Sequence, residues 1–207
     1  SLAGVLHTDR AGCPLAGAWI ERSGASPEAW VRALLDVYLV PVAHLLLSQD
    51  TAMMPHSENV ILRLRDGFPV GAFWKDLGEE VAVLSNRPLP EGIERIRAVT
   101  DAEERELAVH TDVLDGVLRH LAVLLHTTGI LDETQFWGIA AQSLDEHRER
   151  FPEHWGELDL FRENFAHSCL NRLQLRNPQR MVDLTNQSES LTYAGRLENP
   201  LATFRNH

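Results

Sequence analysis

The chain has 207 residues, 44% of them hydrophobic, and a formal net charge of -11 at pH 7. That size and apolar share suit one globular domain with its own core, and the acidic balance argues against a nucleic-acid backbone or an anionic membrane as partner. Two cysteines, Cys13 and Cys169, lie far apart without Cys-x-x-Cys or metal-ligand spacing, which fits free thiols in a reducing cytoplasm.

Residues 1–25 carry Gly12, Pro14, Gly17 and Gly24 and read as irregular, with a short extended or helical piece around Ala18 to Glu21. Ser26-Pro27-Glu28 is a helix start: Ser caps, Pro takes the first helical position and Glu suits the positive end. Apolar residues then recur at helical spacing to Leu47, and Pro41 should kink or divide this helix. His44 falls on its apolar side and reads as a packed histidine. The most apolar stretch, Leu34 to Leu47, is interrupted by Asp36, Pro41 and His44 and is too short to span a bilayer. No signal peptide is visible. The chain opens at SLAGVLH without an initiator Met, which fits a fragment or a processed product.

The most informative stretch is Met54 to Glu80. Val60, Leu62 and Leu64 alternate with Ile61, Arg63 and Arg65, a period of two. Asp66-Gly67 is a tight-turn dipeptide, and Phe68 to Trp74 is a second strand. With Asp66 and Gly67 as a two-residue loop, Arg65 faces Phe68, Asn59 faces Trp74 and Ser57 faces Asp76. Pro69 can shift this register by a residue or two. The open end of the hairpin then gathers His56, Glu58, Asn59, Lys75 and Asp76. An Asn and an Asp offer the oxygen ligands Mg²⁺ prefers, and a His and a Lys can hold phosphate or carboxylate oxygens. The same residues also serve as ordinary polar caps of strand ends, so spacing alone leaves both readings open.

Beyond Glu80, VAVLS is a short strand that could extend the hairpin to three strands, and Asn86 to Gly92 is a Pro-rich loop. Thr100-x-x-Glu103 reads as a capping box before a helix ending near Gly129. His110, His120 and His126 on that helix do not share one face. Asp132 or Thr134 caps a further helix to about Arg150, stopped by Pro152. A last helix is expected from about Leu158 to Arg176, stopped by Pro178, and Met181 to His207 reads as loop with an extended piece at Leu191-Thr192-Tyr193. Arg172 and Arg176 lie four apart on one face of that last helix, where the helix dipole also favours them without a ligand. The chain carries no GxxxxGK[ST], GxGxxG, HExxH or GxSxG motif. The fold class expected is α+β, mainly helical, with helices packed on a small antiparallel hairpin or sheet.

PHSENVILRLRDGFPV and FWKDLGEE resemble the nucleotide-site segment of the NRPS-independent siderophore synthetases, the IucA/IucC family. There, His-x-x-Asn begins a strand and Arg-Asp or Lys-Asp closes the pair; Lys-Asp followed by Gly-Glu-Glu is most similar to the desferrioxamine type. FAHSCLNRLQLRNPQRMVDL and YAGRLENPLA supply a second match in the right order. The resemblance covers essentially all 207 residues but only the C-terminal, FhuF-like portion of such a synthetase. It implies a single palm-like domain over residues 1–207, distantly similar to a kinase catalytic lobe.

It also implies an ATP- and Mg²⁺-dependent ligase in which a carboxylate attacks the α-phosphate, pyrophosphate leaves and an amine forms the amide. Asn59 and Asp76 would meet metal and phosphate, with Glu58 or Glu79 as further ligands, and His56 and Lys75 would hold phosphate or carboxylate. Arg172 or Arg176 would reach nucleotide or acyl substrate, although Asn171 stands near where many members have Lys. The substrates implied carry a hydroxamate and a succinyl-type carboxylate, and the full-length enzyme is expected to be a cytoplasmic homodimer. Some proteins sharing this C-terminal region are ferric reductases with a cysteine-bound iron–sulfur cluster, and two cysteines fall short of the four ligands such a cluster normally takes. The alternatives are a kinase-like phosphotransferase, although His56-Ser57-Glu58 stands where HxD is expected, and a non-catalytic helical interaction domain.

Overall fold

A computed structural model defines residues 1–78, 81–168 and 193–205. A 3₁₀ turn at Leu2–Leu6 precedes α1, Leu15–Ser23, which ends on Gly24 in the left-handed region (φ 68°). The segment expected to be irregular is thus mostly helical. α2, Pro27–Val37, starts where the sequence indicates, with the Ser26 hydroxyl accepting from the Ala29 amide at 3.2 Å. Pro41 has no N–H to offer the carbonyl four residues back, and its ring crowds that carbonyl. The helix accordingly breaks at Tyr38 (φ −120°, ψ −64°), and α3 runs from Leu39 to Gln49.

Taken across that break, Pro27–Gln49 has the length and apolar character to cross a membrane. In this fold it is the centre of the core, with Trp30, Leu34, Leu35, Tyr38, Leu39 and Leu46 fully buried.

Among the described residues, three two-stranded antiparallel sheets follow. β1, Thr51–Met53, is succeeded by the hairpin of β2, Val60–Arg65, and β3, Phe68–Trp74. β4, Val81–Val83, pairs with β1 and not with the hairpin. The expected three-stranded sheet is therefore two separate pairs. The Asp50 carbonyl takes the Leu84 amide at 2.7 Å, locking this return strand onto the chain that enters the hairpin.

α4, Ala102–Val109, is capped by the Asp101 carboxylate on the Glu104 amide at 2.9 Å, so Asp101 and not Thr100 is the cap. The rod continues as a π-helix over His110–Leu118 and then as α5, Arg119–Thr127. Asp132 caps α6, Glu133–Arg150, which packs on α2, α3 and α5. His110 is buried, whereas His120 and His126 are exposed.

The helix expected from Leu158 is corrected over its described part. Residues 158–163 turn, and Asn164–Ser168 form β5, paired with β6, Tyr193–Glu198. Here cross-strand hydrogen bonds and the burial of Phe165 against His110 (ring centroids 4.8 Å apart) override local helix propensity. The expected extended piece near Tyr193 is a six-residue strand, and a 3₁₀ turn follows at Ala202–Phe204.

Candidate functional site

The hairpin has the expected two-residue loop, with Arg65 opposite Phe68, but a bulge between Arg63 and Leu64 moves the rest by one residue. Val60 faces Trp74, and Asn59 meets Lys75, whose amide donates to the Asn59 carbonyl at 3.0 Å. The shift is productive for packing: Val60 is fully buried, and Trp74 stacks on Tyr38 with centroids 6.1 Å apart.

Tyr38, the residue at the helix break, also donates its hydroxyl to the Pro55 carbonyl at 2.7 Å, while the Ala3 amide donates to the Ser57 carbonyl at 3.1 Å. The loop between β1 and β2 is thus held from two sides. Burial pushes the Tyr38 hydroxyl well above its ordinary range, and the Asp112 carboxylate adds to that shift. The sequence by itself singles out neither Tyr38 nor Asp112. The predicted helix break at Pro41 was the available hint for Tyr38; Asp112 had none, because it reaches the region only through the packing of the π-helical rod.

Within this loop the Asn59 amide donates to the His56 carbonyl at 3.0 Å. The Asn59 side chain is 5% exposed; its Nδ2 donates to the Met54 carbonyl and lies 3.3 Å from His56 Nε2. A side-chain amide nitrogen only donates, so His56 Nε2 is the acceptor there. On the return strand Lys75 pairs with the neighbouring Asp76 carboxylate, both side chains about half exposed. Asp76 has φ 59°, a left-handed backbone costing a non-glycine residue about 1–2 kcal/mol. Glu58 is exposed in the same turn.

The structure therefore joins His56 to Asn59, Asn59 to Lys75 through the backbone, and Lys75 to Asp76. Glu79, Arg172 and Arg176 lie outside the described residues, as do Asn171 and Cys169. Two cavities, of about 660 and 800 Å³, lie away from the hairpin end: one among Asp159, Arg162, Asn164, Arg196 and Arg205, the other beside Cys13 and Ile130.

Residues 28–183 match the family model described as ferric iron reductase FhuF-like transporter, and the chain belongs to that family. Its relatives are NRPS-independent siderophore synthetases. It is 38% identical over 209 residues to putrebactin synthase of Shewanella sp. (strain MR-4), covering 99% of this chain and 33% of that protein. It is 31% identical to the rhizobactin siderophore biosynthesis protein RhbF of Rhizobium meliloti (strain 1021), covering 98% of this chain and 35% of that protein. In fold it is similar to aerobactin synthetase IucC of Klebsiella pneumoniae, with a TM-score of 0.79 and 24% identity, covering 98% of this chain and 35% of that one. The chain thus spans about a third of the length of the proteins it matches.

Proposed function

We propose that this chain is the C-terminal part of an ATP-dependent siderophore synthetase that adenylates a carboxylate and joins it to an amine as an amide. The observation that carries the reading is the hairpin end. It holds a buried Asn59 beside His56, and Lys75 beside an Asp76 kept in a left-handed backbone, on two adjoining strand ends. Backbone strain of this kind concentrates at functional positions. The relatives' names, all siderophore synthases or biosynthesis proteins, supply the reaction class.

The donor set fits Mg²⁺ and a polyphosphate. Asn59 and Asp76 offer hard oxygens, with Glu58 and Glu79 as further candidates, while Lys75 and His56 offer N–H donors to phosphate or carboxylate oxygens. When bound, ATP supplies the adenylyl group and Mg²⁺ neutralises phosphate charge. Lys75 leaves an exposed pair with Asp76 that is worth about 1 kcal/mol or less, so a phosphate can replace that partner at little cost. His56 is steadied by the Asn59 amide and can hold an oxygen with its other ring nitrogen. Arg172 and Arg176 are assigned to nucleotide or acyl substrate.

The ligand classes proposed are a hydroxamate substrate with a succinyl-type carboxylate, in a cytoplasmic enzyme that is a homodimer at full length. A ligase is preferred over the reductase in the family's description because the relatives matched over nearly all of this chain are named as siderophore synthases or biosynthesis proteins.

The test uses the full-length enzyme. Asp76→Asn should keep the fold and lose most pyrophosphate release, and His56→Ala should lower it strongly. Near-normal release from either variant shows that the residues are wrongly assigned. Product analysis separates this reaction, with AMP and pyrophosphate, from a kinase-like one, with ADP.

A further inference from the structure

Away from the hairpin, His44 of α3, His147 of α6 and Trp155 beyond the Pro152–His154 turn form a chain of hydrogen bonds. Trp155 Nε1 lies 3.0 Å from His147 Nδ1, and His147 Nε2 lies 3.0 Å from His44 Nδ1. An indole nitrogen only donates, so His147 accepts at Nδ1. Its proton is then on Nε2 and is donated to His44 Nδ1. The direction is fixed throughout, from Trp155 through His147 to His44. His147 must be neutral, because a second proton, on Nδ1, would set its N–H against the indole N–H of Trp155.

We propose that this relay is a proton-sensitive latch, which at neutral pH fastens residues 151–161 onto α3 and α6 and on acidification releases them. Burial, first of all, holds His147 below its ordinary range, and positive charge on the neighbouring His44, His154 and Arg150 side chains would act in the same direction. The ring of His154 sits against His44, at 5.8 Å between centroids, and its Nε2 lies 3.6 Å from Glu153. Phe151 packs on both His44 and His147. On α6, Arg148 pairs with Asp145 and lies over the rings of Trp155 and Phe161, and Glu146 pairs with Arg32 of α2, itself paired with Asp36.

The latch has something to release. The segment runs directly into Asp159, whose amide donates to Glu106, and Leu160, whose carbonyl meets His110 Nε2 at 3.2 Å. Arg162 follows, paired with Glu106 and Glu103, just ahead of β5. Opening residues 151–161 therefore loosens the attachment of β5 and β6 to the helical core and the wall of the 660 Å³ cavity.

A closed latch in which His147 excludes the proton, and an open one in which His147 titrates near the ordinary histidine value of about 6.5, give about tenfold more opening at about pH 5.5 than at about pH 7.5. Hydrogen exchange of peptides within residues 151–161, corrected for intrinsic exchange, should show that rise in the native protein. It should be absent in His147→Gln, which keeps an acceptor and a donor but cannot take the proton. No rise in the native protein, or an equal rise in both, overturns the proposal. Should His147→Gln fail to fold, Trp155→Phe decides by NMR titration: removing the indole donor should move the His147 midpoint up towards 6.5, and an unmoved midpoint overturns the latch.

Discussion

Gly67 holds the hairpin tip against the helices through its backbone alone. Its φ is 86°, its carbonyl accepts from Trp30 Nε1 at 2.8 Å, and an added Cβ would lie 2.5 Å from the Trp19 carbonyl oxygen. Gly67→Ala combines a left-handed alanine with a backbone clash and should cost about 2–3 kcal/mol, read as a lower urea midpoint with an unchanged slope. At the other end of the hairpin Tyr38→Phe leaves the Pro55 carbonyl without its donor while keeping the stack on Trp74. The expected loss is about 1–2 kcal/mol by urea unfolding.

At the scale of elements, the rod from Ala102 to Thr127 carries two buried polar anchors. Glu106 is fully buried and receives the Asp159 amide at 2.7 Å and the Arg162 guanidinium, while burial raises its carboxyl above the ordinary range against those contacts. Glu106→Ala leaves the Asp159 amide without its acceptor and Arg162 with Glu103 as its remaining carboxylate, and should cost about 1–3 kcal/mol in denaturant unfolding.

His110 begins the π-helix and is pushed down to about 4, chiefly by burial. The unfolded chain takes a proton near 6.5 and the folded one does not until about 4. Stability from this group is therefore complete at neutral pH, falls as pH drops below 6.5 and is exhausted near 4, a loss of up to about 3 kcal/mol. Denaturant unfolding of the native protein and His110→Gln at neutral pH and near pH 4.5 should show a flatter dependence in the variant, and His147 contributes in the same direction.

For the molecule as a whole, the hairpin end would supply one wall of the proposed nucleotide site, in a chain about a third as long as its relatives. Half a constellation adds little to a transition state that must be surrounded. The 207-residue chain alone should fold, make no amide product and bind Mg-ATP no tighter than about millimolar, near 4 kcal/mol. Isothermal titration with Mg-ATP and mass spectrometry of a reaction with a hydroxamate substrate measure both. Micromolar binding or any turnover means that the site is complete within these residues.

What the sequence by itself determined was local. Ser26-Pro27 starts α2, Pro41 divides the long helix, Asp66-Gly67 turns the hairpin, and Asp132 caps α6, because each acts through its own backbone and nearest neighbours. The adjacency of His56, Asn59, Lys75 and Asp76 was legible for the same reason, since a two-residue loop dictates what its strand ends bring together.

The tertiary structure decided the rest. The bulge that sets Lys75 against Asn59 is fixed by Trp74 finding Tyr38, and β4 leaves the hairpin because its partner is β1. Residues 164–168 are strand because β6 and His110 await them across the chain. Each of these choices depends on a partner distant in sequence, so no window of local propensity contains it.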